Sequence, residues 1–261
     1  MATKYPLILV HGIILKDILH FRAFGKIEHI LRKSGHSTYT SNHDGLGSIE
    51  NNATQLAQYI NNVLEKENAD KVNIIAHSKG GLDALYMIDR LGMSKKVASV
   101  TFLCTPHKGS IIATKLYSLP KLIRGFIVFW FNFWYKIFGD KNPDALTVCR
   151  QLSHTSDNII ECFEHHDGIY MQSYSSRMDR SRDDFVMGIP LMFSRRYENE
   201  DVHTDGVVSA ESSKYREYKG HCIEDSISHS EIVDFMVKKH KKEKIYAFYI
   251  GLCKDLEERG L

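Results

Sequence analysis

The sequence predicts an α/β protein, a mostly parallel sheet flanked by helices, and three observations predict it. Short apolar runs at residues 5–10, 36–41, 72–76 and 97–104 alternate with stretches of helical period at about 20–34, 50–67 and 79–92, the rhythm of parallel strands joined by helical crossovers. The run Leu7, Ile8, Leu9, Val10 holds no polar residue, as a strand buried on both faces requires. Residues 76–81, Ala-His-Ser-Lys-Gly-Gly, directly follow Val72, Asn73, Ile74 and Ile75, so a serine sits where a buried strand turns sharply into a helix. In open α/β sheets such a turn lies at the carboxyl edge, where ligands bind.

The first apolar run begins at Tyr5 and Pro6 and ends in His11-Gly12-Ile13. A buried strand ending in His-Gly reads as a loop able to stabilise an oxyanion with a backbone N–H, that of Ile13. His11, before the glycine, reads as a residue that shapes this loop. At residues 76–81 the pattern is that of a nucleophile elbow, G-x-S-x-G with Ala76 at the first glycine, Ser78 as nucleophile and Gly80 as the second glycine. The small residues have a steric reason: the serine takes a strained conformation and its neighbours must let strand and helix pass closely. The N–H of Lys79 is the second expected oxyanion donor. His77 reads as packing, and Asp83 as pointing away from the site.

A serine nucleophile needs a base, and the base an orienting acid. Of the fourteen histidines, His165 and His166 sit in a polar stretch and His240 in the run Lys238-Lys239-His240-Lys241-Lys242. His107 falls in what reads as a turn after a core strand. His229 is the strongest candidate: Ser228 and Glu231 have capping-box spacing, which predicts the histidine on the first turn of a late helix. For the acid, Asp205 in Thr204-Asp205-Gly206-Val207-Val208 is a turn carboxylate beside a short apolar run. After residue 110 the strand–helix rhythm breaks. It resumes at about 168–175, and helical segments at roughly 229–242 and 245–258 close the chain.

Taken together these blocks resemble the bacterial triacylglycerol lipase branch of the α/β-hydrolase superfamily, especially its short members without a secretion signal. The resemblance runs through His11-Gly12, Lys71 to Asp83, Val97 to Ser110, Gly168 to Tyr174, Asp205-Gly206-Val207-Val208-Ser209 and Ser228-His229, in order along nearly the whole chain. It implies an α/β-hydrolase fold, Ser78 as nucleophile, Asp205 as orienting acid, His229 as general base and then acid, and the Ile13 and Lys79 amides as oxyanion donors. Two positions depart from the pattern. Ala76 replaces the first elbow glycine, a change relatives tolerate. The carboxylate that helps bind a structural calcium in some relatives falls two residues after the histidine, where this chain has Glu231 rather than aspartate. No cofactor is therefore expected to be required, and calcium is left in doubt.

The break in rhythm holds the most informative segment for substrate. Residues 116–139 include Phe126-Ile127-Val128-Phe129-Trp130-Phe131-Asn132-Phe133-Trp134-Tyr135, with both tryptophans of the chain. The apolar stretch is too short to span a bilayer, which takes about 20 residues, and Lys121, Arg124, Lys136 and Lys141 flank it. Three readings stand: a lid that excludes water and binds acyl chains through Phe126, Phe129, Trp130, Phe133 and Trp134; an interfacial helix with basic flanks at lipid head groups; or an ordinary packed helix or dimer contact.

Composition bounds the rest. With 261 residues, 43% hydrophobic and 25% charged, the chain can build one full core, so residues 1–261 are expected to form one domain with a lid or cap insertion at about 110–155. A net charge of +2 gives no basis for a nucleic-acid partner. The first ten residues lack the apolar stretch of a leader, and Cys104, Cys149, Cys162, Cys222 and Cys253 show no CxxC spacing, so a cytoplasmic, reduced protein is expected. Cys104 reads as a buried small hydrophobe. Residues 238–244 read as the solvated end of a penultimate helix, and the acids of residues 177–184 as a wet charged loop. The function expected is a serine carboxylic-ester hydrolase of lipase type. It would cleave acylglycerols or similar hydrophobic esters through an acyl-serine intermediate, with a lipid surface as transient partner. The alternatives are a thioesterase, polyester depolymerase or acyltransferase on the same triad, and a non-catalytic membrane-associated scaffold.

Overall fold

Parallel pairing throughout is what the apolar runs produce. In the computed structural model, which describes residues 2–13, 22–153, 168–197 and 203–261, the strands β1 (Leu7–Val10), β2 (Thr38–Thr40), β3 (Val72–His77), β4 (Val97–Leu103), β5 (Tyr170–Ser175) and β6 (Glu217–His221) form one sheet. Their order is β2-β1-β3-β4-β5-β6, and every neighbouring pair is parallel. Cys162, His165, His166, the first two residues of the helix expected at 20–34, and the last two of the expected insertion lie outside the described residues.

The apolar run of β1 is unbroken because each face has its own core. Ile8 and Val10 pack with Ile74 and Ala76 of β3 under α2 (Ile49–Glu67) and α3 (Lys79–Arg90). Leu7 and Leu9 pack with Ile75 and Leu103 under α1 (Ile27–Lys33) and the closing helix α9 (Lys239–Glu258). The period-two alternation of a strand thus feeds two helical layers. Polar strand residues pair across the sheet: Ser99 Oγ donates to Asn73 Oδ1 at 2.7 Å, and Gln172 Nε2 to Thr101 Oγ1 at 3.0 Å. Helix α2 is well signalled locally. The Ser48 side chain accepts from the Asn51 N–H at its start, Asn68 ends it in the left-handed conformation, and Ile49, Ala53, Leu56, Ile60, Val63 and Leu64 give it a buried stripe.

Between β4 and β5 lie α4 (Ile111–Tyr117), α5 (Lys121–Ile137) and α6 (Ala145–Gln151). Helix α5 buries no residue fully. Between β5 and β6 lie α7 (Gly188–Tyr197) and the single turn α8 (Ala210–Ser213), neither of which the hydrophobic rhythm foretells. No helix among the described residues is long and apolar enough to cross a membrane.

The C-terminal third corrects three expectations. Ser228 and Glu231 do form the reciprocal capping box, Glu231 N–H donating to Ser228 Oγ and Ser228 N–H to Glu231 Oε2, both at 3.1 Å. The box opens only a 3-10 turn, Glu231–Val233, because Asp234 adopts the left-handed conformation and stops it. His229 therefore sits in a loop, and one continuous α9 replaces the two helices expected. Second, the lysines of 238–244 lie at the N-terminus of α9, against the helix dipole rather than with it. Acids outside the helix compensate three of them: Glu231 pairs with Lys241, Asp234 with Lys242 and Asp225 with Lys244. Third, Asp184 is not a wet loop carboxylate. It is buried and accepts from the N–H groups of Val186 and Met187 and from the hydroxyls of Ser228 and Ser230.

Candidate active site

Ser78 lies between β3 and α3 with φ 55° and ψ −134°, a region costing a non-glycine residue on the order of 1–3 kcal/mol. The turn is held from both sides. Ser78 N–H donates to the Leu103 carbonyl of β4 at 2.9 Å, and Gly81 N–H to the Ser78 carbonyl at 3.0 Å. Glycine is required at position 80, where a Cβ would fall 2.4 Å from the His11 carbonyl oxygen. That contact brings the end of β1 against the elbow.

Two loops bring partners to the serine hydroxyl. Asp205 lies just after the bridge between Thr204 and Ser209, with Oδ1 accepting the Val207 and Val208 N–H groups at 3.0 and 2.8 Å. Its Oδ2 faces His229 Nδ1 at 2.7 Å, and His229 Nε2 faces Ser78 Oγ at 2.8 Å. A carboxylate only accepts, so Nδ1 carries the proton, and in the neutral ring Nε2 is left to accept from the serine O–H. The backbone adds a brace, His229 N–H donating to the Asp205 carbonyl at 3.0 Å. All three residues are buried, so these bonds act in a low local dielectric.

The two residues expected to supply oxyanion donors, Ile13 and Lys79, lie beside Ser78. Ile13 lines the cavity above Ser78, and Lys79 is the first residue of α3, whose leading N–H groups point out of the helix end. Below them runs a buried network that the motifs do not reveal. Lys79 Nζ, fully buried, donates to both oxygens of Asp83 at 2.7 and 3.0 Å. Burial pushes the Asp83 carboxyl up to about 6 against the pull of Lys79. His43 Nε2 donates to the His11 carbonyl at 3.1 Å, and the two imidazoles stack at 4.1 Å, so His11 does shape the loop. The i,i+4 spacing of Lys79 and Asp83 was the one available signal for this network.

His77 packs its ring on that of His229, centroids 4.6 Å apart. Burial, and then the neighbouring His229, push its imidazole well below the usual value and keep it neutral. Cys104 is buried beside Asp205 and His229. Contact with Cys222, burial and the Asp205 carboxylate keep it a protonated thiol, the state of an inert packing residue.

Above Ser78 and His229 opens a cavity of about 370 Å³. Its walls are Ala113 and Leu116 of α4, Ile127 and Phe131 of α5, and Val148 of α6. The aromatic helix thus closes over the serine, with a different face from the one expected. Phe126, Phe129, Trp130, Phe133 and Trp134 do not line the cavity; all are exposed, Phe126 at 66%. The reason is the helical period. Ile127, Val128 and Phe131 share one side, while Leu122, Phe126, Phe129, Phe133 and Ile137 form a stripe on the other. A second apolar surface went unread in the sequence: Phe185, Ile189, Met192 and Phe193, in and just before α7, are also exposed.

Glu231 does not fit a calcium site. Its oxygens accept from Lys241 Nζ at 2.9 and 2.7 Å, and the Asp184 acceptors are taken by two hydroxyls and two amides. A dication would have to displace a buried ammonium.

A sequence profile described as the alpha/beta hydrolase fold matches residues 5–221. Triacylglycerol lipases of Pseudarthrobacter phenanthrenivorans and Burkholderia plantarii are each 37% identical over 167 residues, covering 58% of this chain and 51% and 46% of theirs. The chain thus spans about half the length of these curated relatives. Triacylglycerol lipase 2 of Saccharomyces cerevisiae is 24% identical over 94% of this chain and 76% of its own. Among solved structures, Staphylococcus hyicus lipase superposes with a TM-score of 0.73 at 16% identity, covering 98% of this chain and 97% of its own. A metagenomic carboxyl esterase superposes with a TM-score of 0.77 at 15% identity, covering 98% and 76%. At these identities the structural likeness is one of fold.

Proposed function

The chain belongs to the alpha/beta hydrolase fold family, and from that premise we propose that it is a carboxylic-ester hydrolase of lipase type. The observation that carries the reading is the continuous hydrogen-bonded series Asp205–His229–Ser78 at the floor of an apolar cavity. His229 takes the Ser78 proton as the oxygen attacks an acyl carbonyl. The Ile13 and Lys79 amides hold the oxygen that becomes negative, and Asp205 stays ionised to stabilise the imidazolium. His229 then protonates the departing alcohol, and water repeats the sequence to release the acid. No cofactor enters these steps.

The cavity wall supports a hydrophobic acyl group, since among its described lining side chains only Ser78, Ser110 and His229 are strongly polar. The names of the sequence relatives favour an oxygen ester, with an acylglycerol as type substrate, over the thioester, polyester and acyl-acceptor alternatives on this triad. We read the chain as one catalytic domain in which the segment at about 110–155 is the cap. The exposed stripe of α5 would meet a lipid surface, with Lys121, Arg124, Lys136 and Lys141 at head-group level. A reducing, cytoplasmic setting belongs to the same reading, supported by the free thiols of Cys104, Cys149, Cys222 and Cys253.

The test is hydrolysis of p-nitrophenyl esters of short, medium and long acyl chains by wild type and Ser78→Ala, with and without micelles. Ester cleavage that disappears in Ser78→Ala and rises with chain length or micelles is expected. Cleavage that survives the substitution refutes the assignment.

A further inference from the structure

The chemistry uses no group of α9, yet the loop that presents His229 hangs from that helix. Tyr249 OH donates to the Ile232 carbonyl at 3.1 Å, and Tyr246 OH to Asp234 Oδ2 at 2.9 Å. The strongest tie is ionic. Lys241 Nζ donates to both oxygens of Glu231, and both residues are buried, at 6% and 2% exposure. Glu231 passes the constraint on through the capping box, accepting the Ser228 N–H and donating its own N–H to Ser228 Oγ. Ser228 and Ser230, the two residues that bracket His229, both donate their hydroxyls to Asp184. Lys241, Glu231, Ser228, Asp184 and Ser230 therefore form one buried polar unit around the backbone of the histidine. It contains two carboxylates and one ammonium.

We propose that Lys241 is a positioning residue for His229: its ammonium is the permanent cation of the histidine loop, and because of it the loop needs no bound dication. The proposal rests on the reading of Ser78, Asp205 and His229 as the reacting groups. A buried carboxylate such as Glu231 must be neutralised by a partner. Here the chain supplies a covalently tethered cation from the neighbouring helix, at fixed stoichiometry. A metal in that place would compete with an ammonium that cannot diffuse away. Since Glu231 also closes the capping box, losing its partner would loosen Ser228 and with it the register of the His229 ring against Ser78.

Two measurements on the full chain test this. In the first, wild-type protein is treated with a strong chelator, and its thermal midpoint and short-chain ester turnover are followed as Ca²⁺ is returned. Both are expected to stay unchanged throughout. A midpoint that falls on chelation and recovers with Ca²⁺ overturns the proposal, and because it reads folding it is independent of which residue is the nucleophile. In the second, Lys241→Met is expected to lower kcat by about tenfold or more with KM within about twofold, the signature of misplaced machinery rather than lost substrate contact. Adding Glu231→Gln, which removes the stranded charge but keeps an oxygen for the Ser228 N–H, is expected to restore most of the lost kcat. Unchanged kcat in Lys241→Met, or a double variant no faster than the single one, refutes the role. If Lys241→Met does not fold, the double variant decides alone: folded and active supports the proposal, unfolded or inactive overturns it. Failure of the triad reading would appear separately, as ester cleavage surviving Ser78→Ala.

Discussion

Gly12 and Ser78 are in contact through the space a side chain at position 12 would fill. A Cβ there would lie 2.6 Å from the Ser78 Cβ and 3.1 Å from the Lys79 nitrogen, closer than side-chain carbons come. Gly12→Ala must therefore push the loop after β1 away from the elbow, separating the Ile13 and Lys79 amides. Loss of an oxyanion donor typically costs 10²–10³ in kcat. Gly12→Ala is expected to fall by about that factor with an unchanged far-UV spectrum. Full turnover would mean that the oxyanion forms elsewhere.

Asp205 does two things with two oxygens, and Asp205→Asn separates them. An asparagine keeps one oxygen for the Val207 and Val208 amides, so the turn survives. Its NH₂ then faces Nδ1 and favours the tautomer with the proton on Nε2, leaving the ring unable to accept from Ser78. The expected loss in kcat is on the order of 10³–10⁴, with a thermal midpoint close to wild type. If the midpoint collapses along with activity, Asp205 serves the turn more than the histidine.

How much the sequence made legible depends on how local each signal is. The elbow is encoded within six residues whose sizes are dictated by sterics, and the serine with its strained φ falls at the strand–helix turn that the motif predicts. The strands buried on both faces show as unbroken apolar runs. His229 was recoverable from the capping box, but not the fate of that box. Whether it opens a helix or a single 3-10 turn depends on Asp234, whose carboxylate accepts from the Lys26 N–H and Tyr246 OH, contacts distant in sequence. The same holds for Lys241, whose partner Glu231 belongs to another element, and for Asp184, which reads as one more loop acid until Ser228 and Ser230 fold onto it. The aromatic run identified α5 as the segment over the serine, but composition does not say which side of a helix faces in. Helix α7 escaped because Phe185, Ile189 and Phe193 face outward and leave only Leu191 buried among its large apolar residues.

Both tryptophans of the chain, Trp130 and Trp134, lie on the outer part of α5, 41% and 48% exposed, so intrinsic tryptophan fluorescence reports on this helix alone. If the stripe enters a lipid surface, mixing the wild type with vesicles of anionic phospholipid should shift the emission to shorter wavelength. The shift should weaken with zwitterionic vesicles, because Lys121, Arg124, Lys136 and Lys141 then lose their attraction, worth about 1 kcal/mol per basic residue near an anionic surface. Phe126→Ser with Phe129→Ser should reduce the shift while leaving hydrolysis of a soluble short-chain ester intact, since neither side chain lines the cavity. An emission spectrum indifferent to vesicles would leave α5 as a cap without a lipid partner.

His107 makes the fold sensitive to acid. The ring is buried, stacked on Tyr215 at 4.4 Å and set edge-on to Phe102, and burial lowers it from 6.5 to about 3. The unfolded chain therefore binds a proton between those values that the folded chain refuses. Stability from this group is complete above about pH 6.5 and is lost as pH falls toward 3. At a pH two units below the unfolded value, the loss should approach about 2.7 kcal/mol. His107→Phe keeps an aromatic ring against Tyr215 and leaves the two bonds of the His107 N–H, to the carbonyls of Thr105 and Ser212, in place. Urea unfolding at neutral pH and near pH 4.5 should show the variant less acid-sensitive than wild type by about that amount. An equal loss in both proteins would mean that His107 is protonated within the fold, and that its contact with Tyr215 is one of charge on an aromatic face rather than of two neutral rings.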